Sequence, residues 1–135
     1  MFDAKGVDWK DIPEGEPLFR ASADGRGFAV SGGVAQAVVH AVKRIDPERE
    51  VKVVNAEGLQ NCKKMLQMAK AGKYNGYLLE GMACPGGCVA GAGTLQMVKK
   101  AAAALEKMKG EASFTESSDS KYQSRLESLE KFDVE

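Results

Sequence analysis

Cysteine and histidine are scarce in this chain: its 135 residues hold three of the first and one of the second. A secreted disulfide scaffold carries more cysteines, usually in even number, so that class is excluded and reduced thiols in the cytoplasm are expected. Charge of one sign is also missing, since Lys+Arg and Asp+Glu both number 19. That balance leaves no electrostatic footprint for nucleic acid or an anionic membrane surface, and neither is expected as a partner. No run approaches the roughly 20 apolar residues of a membrane span. The start, "MFDAKGVDWKDIPEG", has no basic stretch followed by an apolar one, so it does not read as a signal peptide. What is present is one domain of ordinary size, whose 44% hydrophobic content can bury a core without staples.

Periodicity divides the chain. Residues 1–20 are punctuated by Pro13, Gly15 and Pro17, and read as an irregular lead-in packed through Val7, Trp9, Ile12, Leu18 and Phe19. "SADGRG" is turn material, and the apolar run Phe28 to Val30 after it predicts a buried strand. Val34, Ala37, Val38, Ala41, Val42 and Ile45 recur at helical spacing, with Ser31 as the expected N-cap and Asp46-Pro47 as the stop. "VKVVNA" (51–56) predicts a second strand. A helix over about 58–71 follows, with Leu59, Cys62, Leu66 and Ala69 on its inward stripe. A third strand is expected near 76–80, then a glycine loop, then an Ala-rich helix over about 94–108.

The order βαβαβα with short connections predicts an α/β fold in three layers. A small parallel sheet of three to four strands lies between helices on both faces. Three segments follow from this: the lead-in (1–20), the α/β body (21–110), and a polar linker with an amphipathic tail helix (111–135). In that tail Tyr122, Leu126 and Leu129 share one side.

Two stretches could carry chemistry. "EGMACPGGCVAGAG" places Cys84 and Cys88 as C-x3-C after the C-terminal end of a predicted parallel strand, the edge where open α/β sheets bind ligands. Thiolates ligate zinc and iron–sulfur clusters, and both take four ligands. The surrounding glycines would let backbone N–H groups approach an anionic cluster, which suits iron–sulfur better than zinc. A phosphate site at the following helix N-terminus and a ligand-free tight turn remain open alternatives. The second stretch, "SGG" (31–33), leaves the same sheet edge but lacks the spacing of a dinucleotide or P-loop motif. His40 reads as a surface residue and Cys62 as a small buried apolar one. Met82 stands on the cysteine loop, where its thioether could pack beside a cluster.

"LEGMACPGGCVAGAG" resembles the third signature of the iron-only ([FeFe]) hydrogenases, roughly E-x-M-A-C-x-x-G-C-x-x-G-G-G-Q, at Glu80, Met82, Ala83, Cys84, Gly87, Cys88, Gly91 and Gly93. "FAVSGGVAQAVVHAV" is similar to the family's F-G-A-T-G-G-V-x-E-A segment. The stretch from Val51 to Cys84 is similar to the strand, helix and strand that precede the signature. The resemblance covers most of residues 1 to about 108 and identifies the C-terminal part of the catalytic domain. It implies that Cys84 and Cys88 ligate the [4Fe–4S] part of the H-cluster, and that Cys88 bridges to the two-iron unit where hydrogen is made or split. It implies that Met82 packs beside that unit and that Phe28 and Ala29 line the pocket of its carbonyl and cyanide ligands.

The family's other two cluster cysteines come from T-S-C-C-P and M-P-C-x-x-K signatures, and neither occurs here. The family glycine after phenylalanine is Ala29, and the glutamate after "GGV" is Gln36. The chain is therefore expected to be a C-terminal piece of a hydrogenase-like protein. It would supply two ligands to a site for reversible proton reduction and be inactive alone. Its expected partners are the remainder of the hydrogenase domain or a partner chain, and an electron carrier such as ferredoxin. The missing half of the site should leave apolar surface bare and favour self-association. The competing classes are a non-catalytic iron–sulfur or regulatory module derived from the family, and a small-anion-binding α/β domain.

Overall fold

The computed structural model describes residues 2–13 and 21–120. The expected tail helix, like Leu18 and Phe19, lies outside the described residues. The two β-branched or apolar runs pair as β1 (Lys52–Glu57) and β2 (Tyr77–Met82). They are parallel, in register from Lys52 opposite Tyr77 to Glu57 opposite Met82. A parallel pair needs a crossover, which α4 (Leu59–Lys70) provides. The chain also forms α1 (Phe2–Lys5), α2 (Ala23–Gly27), α3 (Gly33–Ile45) and α5 (Val98–Gly110).

Neighbouring residues of a strand face opposite sides of a sheet. On β2, Gly81 lies against Cys62 and Met65 of α4, while Glu80 bonds to the start of α3. The helices therefore cover both faces, and the three-layer α/β expectation holds. Helices α2 and α5 pack on each other, and α2 also packs on α3.

The sheet has two strands among the described residues, not three or four. Phe28 to Val30 is not a strand. Ser22 caps α2 by accepting the Gly25 N–H at 3.0 Å, and the chain then continues in turns, Phe28 N–H to Gly25 O and Val30 N–H to Gly27 O. Three apolar residues hold no periodicity that could outweigh a local side-chain cap. The start of α5 also moves, from about residue 94 to Val98. Thr94 folds back instead, its N–H and hydroxyl both donating to Gly91 O.

The stripe expected on α4 is rotated. Met65 is the buried residue, whereas Leu59 and Leu66 are 73% and 60% exposed. The apolar residues buried among those described are only Ala35, Ala56 and Met65, while Ile45, Leu95 and Met97 stand in solvent. Val7 and Ile12 are exposed too, so they do not anchor the lead-in. Much apolar side chain is therefore left bare among the described residues.

Residues 112–120 form a strap. Phe114 and Thr115 carbonyls accept the N–H groups of Ala23 and Asp24. Arg44, near the end of α3, donates to Glu116 at 3.1 Å, Ser118 at 2.7 Å and Asp119 at 2.6 Å. Its guanidinium holds the Asp119 carboxyl below the ordinary aspartate value of 3.8. A depressed folded-state value contributes stability above the unfolded one, lost as pH falls through the folded value. The strap is therefore expected to release from α3 only below about pH 3.8. An NMR titration of Asp119 checks this, and Arg44→Ala should abolish the shift. The pair is exposed, so added salt should weaken it.

Candidate metal centre

The cysteine loop is built from both strands. It leaves β2 at Met82 and carries Cys84 and Cys88 as free thiols, Cys84 half-buried and Cys88 exposed. Its backbone closes on itself, with Gly87 N–H to Cys84 O at 2.9 Å and Gly91 N–H to Cys88 O at 3.0 Å. The Gly86 N–H is taken at 3.0 Å by the carboxylate of Glu57, the last residue of β1. Three of the glycine N–H groups expected to face a ligand, those of Gly86, Gly87 and Gly91, are thus committed within the protein. With α5 starting at Val98, no helix N-terminus stands at Gly93 either.

Gly87 serves close packing instead. A Cβ at Gly87 would stand 2.6 Å from Ala29 O and 2.7 Å from Ser31 N. Backbone meets backbone there, since Val89 N–H donates to Ala29 O at 3.1 Å and Ser31 N–H to Gly86 O at 3.4 Å. A Cβ at Gly91 would lie 3.9 Å from the Cys84 sulfur, so that side of the thiol is backed by bare backbone. The two loops read as sharing one edge are joined in this way, which puts Ala29, Val30 and Ser31 beside the loop of Cys84 and Cys88, while Phe28, one residue earlier, is exposed. Met82 is half-buried at the root of that loop, and its carbonyl accepts the Gly58 N–H at 2.8 Å.

The "SGG" turn is closed to small anions. Glu80, buried on β2, accepts the Val34 and Ala35 N–H groups at 3.0 Å each through Oε1, and the Gly32 N–H through Oε2. The carboxylate therefore caps α3 from 48 residues away along the chain and meets the positive end of its dipole. Gly32, not Ser31, is the N-cap residue, and it has no side chain to do that work. A Cβ at Gly33 would fall 1.9 Å from Gly27 O, which shows how tightly this turn folds on α2.

Residues 1–92 match the family described as "Iron only hydrogenase large subunit, C-terminal domain". The chain belongs to that family. It is also similar to the periplasmic [Fe] hydrogenase large subunit of Nitratidesulfovibrio vulgaris, with 31% identity over 122 residues. That match takes in 69% of this chain and 29% of the relative, so the chain spans less than a third of the hydrogenase subunit it resembles.

For an iron-only hydrogenase domain the relevant test is the donor set. Among the described residues no group of three or more His, Cys, Asp or Glu side chains converges to hold a metal ion. Cys62 is not a spare ligand, since its thiol is turned to the carbonyls of Ala56 and Met82 at 3.5 and 3.6 Å. His40 is occupied too, its Nδ1 lying 2.9 and 3.0 Å from the two oxygens of the buried Asp24 carboxylate. It ties α3 to α2 from a half-buried position. The thiols of Cys84 and Cys88 match half of a four-thiolate set, and the described residues do not complete it.

Sequence reasoning matched Glu80 to a signature without giving it a task, and passed over Glu57 and Asp24. The signal for Glu80 was available: a carboxylate inside the apolar strand "YLLEGM" must find partners if it is buried.

Proposed function

We propose that Cys84 and Cys88 are two of the four thiolate ligands of a [4Fe–4S] cluster of the H-cluster type. The other two, and the groups that handle protons, would come from the rest of a hydrogenase domain. The observation that carries this reading is the joining of the cysteine loop to the Phe28–Ser31 turn by close backbone contact, with both thiols free. Such a rigid pair of donors costs little to organise when a cluster binds. Phe28, Ala29 and Met82 would pack around the two-iron unit, and that unit would supply the redox chemistry of 2H⁺ + 2e⁻ → H₂. Electrons would pass through a carrier such as ferredoxin. In this reading the chain by itself lacks hydrogenase activity, because half of the ligands are missing. A reducing compartment, the cytoplasm, suits its free thiols.

Anaerobic incubation with ferrous iron and sulfide tests the assignment. The chain is expected to take up labile iron with the absorbance of thiolate-bound iron–sulfide. Cys84→Ser and Cys88→Ser should each remove it, and Cys62→Ser should leave it unchanged. Iron uptake indifferent to both loop cysteines would falsify the assignment. Hydrogen evolution by the isolated chain would instead overturn the half-site reading.

A further inference from the structure

The cysteine loop and the chain just after it carry no charge. From Gly81 to Val98 no Asp, Glu, Lys, Arg or His occurs, in a chain that is 28% charged. The segment after the loop stays against it. Thr94 donates twice to Gly91 O, α5 packs on the turn Cys88–Ala90, and a Cβ at Gly86 would lie 3.3 Å from Val98. Cys88 is exposed, Leu95 stands fully in solvent, and Met97 is 69% exposed. The Glu57 carboxylate that reaches the loop is engaged by the Gly86 N–H. A segment with bare apolar side chains, two free thiols and no charge of its own has the composition of an interface centre, where charged residues are depleted.

The donor count says what that face needs. A [4Fe–4S] cluster takes four thiolates. This chain offers Cys84 and Cys88, while Cys62 is turned to the carbonyls of Ala56 and Met82. No group of three or more candidate ligands converges among the described residues. The chain is thus short of two thiolates, which is the number that a second copy of the same loop brings. A two-fold axis through a cluster would set the cysteine pair of one copy across from the same pair of the other, the self-complementary contact of a closed dimer.

We propose that two copies of this chain join through residues 84–97 around one [4Fe–4S] cluster, each giving Cys84 and Cys88, with Leu95 and Met97 flanking the contact. This rests on the cluster reading above and names a partner for that same site. The second copy takes the place that the rest of a hydrogenase domain would fill. Assembly needs no outside oxidant or reductant. Four thiols lose four protons to solvent, and 2Fe²⁺ + 2Fe³⁺ + 4S²⁻ + 4RS⁻ gives [Fe₄S₄(SR)₄]²⁻, in which iron–sulfur bonds form and the electron count is unchanged. Because the site exists only between two chains, its occupancy depends on chain concentration.

Anaerobic loading of the full chain with equal ferrous and ferric iron and sulfide, free of small thiols, tests it by light scattering after gel filtration. The metal-free protein is expected to run as one chain and the loaded protein as two, with about two iron atoms per chain. Chelation of the iron should return it to one. Cys84→Ser and Cys88→Ser should each abolish both the iron and the doubling. Leu95→Asp sets like charges against each other at a position that is fully exposed in the single chain. Its circular dichroism should match that of the unaltered protein, while the two-chain fraction falls roughly tenfold. Iron held through both loop cysteines in a single-chain particle overturns this inference and leaves the cluster reading intact. Absence of uptake, or uptake that ignores both cysteines, overturns the cluster reading and this inference with it. A two-chain particle that forms without iron or survives chelation overturns the inference, as does a loaded dimer indifferent to Leu95→Asp.

Discussion

Replacing Glu80 by alanine is expected to lower stability by about 3 kcal/mol. The carboxylate accepts three N–H groups at the start of α3, those of Gly32, Val34 and Ala35. Bonds to a charged acceptor are worth roughly 1.5–3 kcal/mol each when they can be isolated, and shared acceptors are not additive. The loss also leaves helix donors without a partner at a position where water has little access, and removes a negative charge from the positive end of the α3 dipole. In a chain of this length such a change moves the melting temperature by about 10 °C. Glu80→Gln should fall between, because a carboxamide keeps one oxygen acceptor but turns its NH₂ toward N–H groups. Chemical denaturation of the three proteins checks the order. Equal midpoints for Glu80→Ala and the unaltered chain would mean that the cap contributes nothing. Because β2 carries both Glu80 and the root of the cysteine loop, the same substitution should loosen the Phe28–Ser31 turn from that loop.

The elements legible in advance are those whose pattern is long. Helices α3 and α4 and strands β1 and β2 lie within a residue or two of their expected bounds, because each rests on repeated apolar spacing or a β-branched run. The failures are places where a side chain competes locally with periodicity. Ser22 draws the chain into α2 ahead of Phe28, and Thr94 holds the chain in a turn that delays α5. The rotated stripe of α4 has another cause. Its apolar arc is wider than a two-stranded sheet can cover, so pattern alone could not choose between Met65 and Leu66. At the site, the two loops located in the sequence do meet, although no strand leads into the "SGG" turn and only the cysteine loop leaves the sheet. The glycine pattern gave Gly87 the wrong task, because the same residue that frees an N–H for a ligand also permits two backbones to touch. Only the structure separates those uses, by showing where each N–H goes. Nor does spacing reveal that the "SGG" donors belong to Glu80, a partner 48 residues distant.

Gly87 is where the two uses of glycine can be separated by experiment. Its φ of +92° and ψ of −165° fall in a region closed to other residues, which costs roughly 1–3 kcal/mol for an L side chain. Its missing Cβ is also where Ala29 O, Ser31 N and Val30 C approach within 2.6–2.9 Å. Alanine there meets both penalties, and the clash is with backbone, which cannot rotate out of the way. The loops must part, breaking the Val89 N–H bond to Ala29 O and the Ser31 N–H bond to Gly86 O. A total cost of at least about 3 kcal/mol is expected. Gly93 is the control, because its φ is +87° but nothing lies within 4 Å of its Cβ position. Gly93→Ala carries conformational strain alone, so it should cost about 1 kcal/mol and leave iron uptake by Cys84 and Cys88 unchanged. Gly87→Ala should lose both stability and that iron. Equal midpoints for the two variants would show that the close approach of the loops contributes nothing. A large loss of stability in Gly87→Ala with full iron retained would show that the thiols hold metal without support from the Phe28–Ser31 turn.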